Sequence, residues 1–80
     1  MPEGWQEIDN HLRKEFLFKN FTQAFGFLTQ VAILAEKHNH HPHIENMYNR
    51  VILNLTTHDA GHQVTERDTK LAEAIERCLK

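Results

Sequence analysis

The sequence predicts an α+β fold, a two-layer sandwich in which a four-stranded antiparallel sheet carries helices on one face. Two observations lead there. Residues 5–18 and the pair 44–48 and 51–57 hold short apolar runs broken by polar residues, as strands do. Residues 20–37 and 65–80 repeat apolar side chains at helical spacing. The order is β-β-α-β-β-α, and paired strands alternating with helices favour an antiparallel sheet covered on one side.

In residues 5–18 the apolar members are Trp5, Ile8, Leu12, Phe16 and Phe18, and Asp9-Asn10 supplies a turn between two strands. In residues 20–37, Phe21, Ala24, Phe25, Leu28, Val31, Ala32 and Ala35 build one apolar face. Asn20 caps this helix, with Gln23 at the reciprocal capping-box position. Phe27, Ile33 and Leu34 lie off that face, which is consistent either with a wide core face or with a second contact surface. Pro42 ends any helix before it, because its ring disfavours helical geometry at residue 41.

Residues 44–48 and 51–57 read as a hairpin. Val51, Leu53 and Leu55 share one face, with Ile52, Asn54 and Thr56 on the other. Asn49-Arg50 is the expected turn. Residues 65–80 then form the second helix. Thr65 and Asp68 make a cap-like pair at its start, and Leu71, Ile75, Cys78 and Leu79 are its expected buried stripe. Cys78 is thereby read as a packed apolar side chain rather than a nucleophile.

Composition narrows the function. Eighty residues make one domain, 1–80, of a size that is marginally stable alone. With one cysteine no internal disulfide can form; a zinc site or self-association is then the usual remedy, and self-association is the expected one. The net charge of −2 and pI near 6.4 include no basic stripe, which argues against direct nucleic-acid binding. No apolar run approaches the roughly 20 residues of a membrane span. The first residues lack the basic and apolar stretches of a secretory signal, and with the single cysteine this suggests a cytoplasmic protein. No Gly-x-Ser-x-Gly turn and no glycine-rich phosphate loop occur, the only glycines being Gly4, Gly26 and Gly61.

Histidine is the outlier. There are seven, and four fall within residues 38–43. If Asn49-Arg50 is the turn, Tyr48 faces Val51, Pro42 faces Thr57 and His41 faces His58. Directly opposed residues have Cβ atoms about 5 Å apart, so His58 lands beside His40 and His41. Clustered imidazoles suit acid–base catalysis near neutral pH. They also suit metal binding, or they simply stand in solvent at strand ends. Against metal, adjacent His40 and His41 project differently when extended, no cysteine joins them, and Glu36 and Asp59 lack motif spacing. His11, His38, His43 and His62 are expected to be solvated.

Several blocks together are more specific. Glu36-Lys37-His38-Asn39-His40-His41-Pro42, Tyr48, Val51, Thr57-His58-Asp59-Ala60-Gly61 and Thr65-Glu66-Arg67-Asp68 resemble the signature of the pterin-4a-carbinolamine dehydratase family. Gly4-Trp5, Phe18-Lys19-Asn20-Phe21 and Ala24-Phe25-Gly26-Phe27 extend the match over nearly the whole chain. The resemblance implies removal of water from a 4a-hydroxytetrahydropterin to give the quinonoid dihydropterin, in recycling the tetrahydrobiopterin cofactor of aromatic amino-acid hydroxylases, with no metal and no cofactor of its own. It implies active-site histidines at His40, His41 and His58, with Glu36 binding or polarising the pterin and backbone groups of Thr56 and Thr57 against the flat ring. His40 and His58 are the expected acid–base pair, and His41 an orienting contact.

The family also implies a homodimer or homotetramer. Its animal members serve as dimerisation cofactors of a hepatocyte transcription factor, so a non-enzymatic module that binds a helical partner is the alternative function. Some relatives are linked to molybdopterin metabolism, which leaves the pterin itself open. Three departures from the pattern stand out: Asn39 where an acidic residue often precedes the histidine pair, His43-Ile44 where an acidic–aromatic pair often follows the proline, and a loop after His58 that is one residue longer.

Overall fold

The computed structural model describes residues 2–80. Strand β1 (Gln6–Ile8) turns into β2 (His11–Leu17), followed by helix α1 (Phe21–His38), strands β3 (His43–Met47) and β4 (Arg50–Leu55), and helix α2 (Glu66–Cys78). The sheet order is β1-β2-β4-β3, antiparallel throughout. The expected α+β order is therefore the observed one. Asp9 and Asn10 make the first turn with positive φ (50° and 65°), a conformation that short polar side chains tolerate.

One apolar cluster joins the layers. Leu12 and Phe16 of β2 and Val51, Leu53 and Leu55 of β4 point the same way, onto Ala24, Phe27, Leu28 and Val31 of α1 and Leu71, Ala72 and Ile75 of α2. Both helices thus cover one face of the sheet. Each fully buried aliphatic side chain contributes about 1.5–3 kcal/mol of burial, which is the main term holding the sandwich together. Trp5 seals one edge, donating from Nε1 to Glu76 of α2 at 3.0 Å; Lys14 donates to the same carboxylate at 2.9 Å.

Asn20 caps helix α1 as expected, accepting from the Gln23 amide at 2.9 Å, but the reciprocal half of the box differs: Gln23 Oε1 accepts the Lys19 N–H at 3.2 Å, not that of Asn20. Its buried face differs from the expected one. Phe27 is in the core, whereas Phe21, Phe25 and Ala32 are exposed. Leu34 packs partly against the core and Ile33 stays in solvent. The helix is apolar around much of its circumference, so spacing alone does not say which arc meets the sheet. In α2, Leu71 and Ile75 are buried as expected, together with Ala72, Ala74 and Asp68. Leu79 lies past the helix end and is exposed. Cys78 is half-buried against the core, and burial, then the Glu76 carboxylate, push its thiol up.

The second hairpin departs from the expected register. Met47 pairs with Arg50 and His43 with Asn54, so the turn is Tyr48-Asn49, one residue earlier than Asn49-Arg50. Strand β4 correspondingly stops at Leu55. Hydrogen bonds at the tip explain the shift. Asn49 donates from Nδ2 to the Phe18 carbonyl at 2.9 Å, and its own carbonyl accepts the Phe18 N–H at 2.9 Å. Asn46 donates to the Arg50 carbonyl at 2.9 Å. Tyr48 takes a left-handed φ of 52° to close the turn. Counting outward from these pairs sets His41 against Thr56, so His41 and His58 are not a cross-strand pair.

Candidate active site

The two histidine-bearing segments still meet, by a different route. Helix α1 ends at Asn39 in the left-handed conformation (φ 49°, ψ 46°). The Asn39 and His40 amides donate back to the Glu36 and Ala35 carbonyls at 3.2 and 3.0 Å, a Schellman-type stop. Asparagine tolerates that backbone better than most residues, and the turn drives His40 inward, where only 7% of it is exposed. On the other side, β4 runs into Thr56 and Thr57 and then a single 3₁₀ turn at His58–Ala60.

His40 lands on Asp68. Its Nε2 lies 2.5 Å from Asp68 Oδ1, and Asp68 is fully buried. The other carboxylate oxygen accepts the Thr65 N–H at 2.9 Å and the Thr57 hydroxyl at 2.8 Å. Thr57 has one hydroxyl proton and gives it to Asp68. The 2.6 Å contact between Thr57 and Thr65 hydroxyls is therefore donated by Thr65. No buried side-chain polar atom among the described residues is left without a partner, which matters because an unmet one costs about 1–3 kcal/mol. The capping box of α2 is thus also the anchor of the buried histidine. Nε2 faces the carboxylate, and Nδ1 is the ring nitrogen with no hydrogen bond among the described residues.

An open cavity of about 230 Å³ lies at this junction, lined by Asn39, His40, His41, Thr56, His58, Asp59 and Arg67. His40, His41 and His58 are thus brought to one cavity, with Thr56 in its wall. Glu36 and Thr57 are not in the lining. Glu36 instead meets His41 Nε2 at 2.7 Å on the exposed side. The Thr57 backbone is committed internally: its N–H donates to the Gln63 carbonyl at 3.0 Å, and its carbonyl accepts the Ala60 and His62 amides at 3.2 and 3.1 Å. Among the described residues no group of three or more His, Cys, Asp or Glu side chains has metal-holding geometry.

The sequence pattern does not mark Asp68, Arg67 or His62 as site residues. Arg67 donates from Nη2 to the Asn39 carbonyl at 3.0 Å and holds Nη1 3.7 Å from Asp59 Oδ2, so it spans both histidine-bearing segments. A cation in the first turn of a helix opposes the helix dipole, so Arg67 gains nothing locally from its place. His62 is exposed but not free of contacts; its ring packs against His58. The visible signal was the Thr65-x-x-Asp68 pair, which reads as a cap without revealing that the carboxylate has a second oxygen to spend. A wider groove of about 500 Å³ lies on the uncovered face of the sheet, lined by Ile8, Asp9, His11, Arg13, His43, Glu45 and Asn54. It is an open surface of mixed charge with no buried polar anchor like Asp68.

Comparison with known proteins agrees with these features. The family model described as pterin 4 alpha carbinolamine dehydratase matches residues 1–78. A protein of Prochlorococcus marinus (strain NATL2A) named "Putative pterin-4-alpha-carbinolamine dehydratase" is 55% identical over 73 residues, which cover 90% of this chain and 76% of that protein. The crystal structure of a transcriptional coactivator/pterin dehydratase from Brucella melitensis superposes with a TM-score of 0.88 at 44% identity, over 94% of this chain and 81% of that one. A pterin dehydratase-like protein identified as a RuBisCO assembly factor in the alpha-carboxysome shares the fold, with a TM-score of 0.79 at 24% identity over 94% and 88% of the two chains. With a match over nearly its full length and the fold to go with it, the chain belongs to the pterin 4 alpha carbinolamine dehydratase family.

Proposed function

We propose that the chain dehydrates a 4a-hydroxytetrahydropterin to the quinonoid dihydropterin by imidazole acid–base catalysis, in the cytoplasm and in the service of tetrahydrobiopterin recycling. One observation carries the reading: three imidazoles from two distant segments line one cavity, and one of them is anchored on a buried carboxylate. Hydroxide leaves poorly, so an imidazolium protonates the 4a-oxygen as the C4a–O bond breaks. The N5 lone pair forms the C4a=N5 double bond, and a second imidazole removes the N5 proton. Water and one C=N bond are the balance of the step.

His40 and His58 are the proposed acid–base pair, facing the cavity from opposite segments. His41 orients the ring, held by Glu36, and Thr56 supplies wall contacts. Thr57 acts at one remove, through its hydroxyl on Asp68. The direct test is an absorbance assay of quinonoid dihydropterin formation. Acceleration over the spontaneous reaction is expected, and none at all would overturn the reading.

A second reading draws on helix α1. Phe21, Phe25 and Ile33 are exposed on it, and the first two rings pack together 5.6 Å apart. Such a face suits self-association into a homodimer or homotetramer, or a helical protein partner of the kind a coactivator would need. If the chain serves only as such a module, loss of His58 leaves its role intact and changes on α1 abolish it.

A further inference from the structure

Each imidazole at the cavity has something that fixes its ring, and for His58 that partner is a fourth histidine. His40 is bonded to Asp68 and His41 to Glu36. The His58 ring makes no hydrogen bond among the described residues. It packs edge-to-face on His62, with centroids 4.6 Å apart and planes at 82°, an arrangement that aromatic pairs favour.

The loop is shaped to make that contact. Gly61 (φ 75°) and His62 (φ 61°) take left-handed backbone in succession, folding residue 62 back over residue 58. The Gly61 amide donates to the His58 carbonyl at 3.0 Å and the His62 amide to the Thr57 carbonyl at 3.1 Å. Left-handed backbone is unfavourable for most side chains, so it is informative where it sits beside a candidate site. His62 does not line the cavity, while His58 does. The contact of His62 with the cavity wall runs through the His58 ring.

We propose that His62 is a positioning residue that holds the His58 ring toward the cavity by edge-to-face packing. The role assigned to His58 rests on the dehydratase reading; the ring contact does not.

The test compares wild type, His62→Ala and His62→Phe by NMR of the His58 ring protons and by dehydration kinetics. Ring-current shifts of those protons should persist in His62→Phe and collapse in His62→Ala. In His62→Ala, kcat should fall roughly tenfold, since small misplacement of a catalytic group is costly, with KM within about twofold. His62→Phe should restore most of kcat, because it keeps an aromatic edge-to-face partner, one ring atom larger and without the nitrogens. Unchanged His58 resonances in His62→Ala would overturn the proposal. So would unchanged kcat, or a His62→Phe variant as slow as His62→Ala. A wild-type chain that does not accelerate dehydration defeats the dehydratase reading instead, and the resonances alone then decide the ring contact.

Discussion

His40 and Asp68, 28 residues apart, meet at 2.5 Å beneath the cavity floor, and the carboxylate that orients the imidazole is the one that caps helix α2. Asp68→Ala removes the partner of three groups at once: the buried His40 Nε2 and Thr57 hydroxyl, and the part-buried Thr65 amide. Each buried donor left unmet costs about 1–3 kcal/mol, so together they claim a large share of what an 80-residue domain has. Asp68→Asn is expected to cost about 1–3 kcal/mol, because one acceptor oxygen replaces two: with that oxygen kept for the Thr57 and Thr65 donors, the amide NH2 faces His40 Nε2. Urea denaturation checks both. An Asp68→Ala chain as stable as wild type would mean that the pair does not hold the fold.

His58 is exposed and outside the core. His58→Ala should therefore leave stability within about 0.5 kcal/mol. Dehydration should slow by about 10²- to 10⁴-fold, the usual contribution of a positioned acid or base. Unimpaired turnover would remove His58 from the chemistry.

Phe25→Ser and Ile33→Ser change side chains that are 55% and 63% exposed, so the folded protomer should keep its stability. If α1 is an association face, both should lower the mass seen by light scattering after size exclusion, with the cavity histidines untouched. A mass unchanged in both variants would place any assembly elsewhere.

Tyr48 sits at φ 52°, where a side chain costs about 1–2 kcal/mol relative to glycine. Tyr48→Gly is expected to stabilise the hairpin by up to about 1 kcal/mol by thermal melt. Had Asn49-Arg50 been the turn, Tyr48 would be a strand residue and the same change would destabilise.

Burial and Glu76 hold the Cys78 thiol up, so less thiolate is present at a given pH. Iodoacetamide should label folded protein more slowly than urea-unfolded chain at the same mildly alkaline pH, and equal rates would show that the folded environment does not protect the thiol.

Patterns short in range were readable in the sequence. Helical spacing located α1 and α2, Asn20 and Thr65 marked where they start, and Asp9-Asn10 marked the first turn, because capping and turn chemistry act within a few residues. The histidine segments were legible as well, through residue type and position along the chain. The second turn was not, because its choice between two neighbouring sites hangs on Asn49 bonding to Phe18, 31 residues away.

The chain by itself determined the element order and supplied the imidazoles. Tertiary structure decided which arc of α1 meets the sheet, that Asp68 turns its second oxygen to His40, and that His62 folds onto His58. The reason is physical: periodicity and capping are local, whereas a side chain's last hydrogen-bond partner or ring neighbour is whichever group packing brings within a few ångströms.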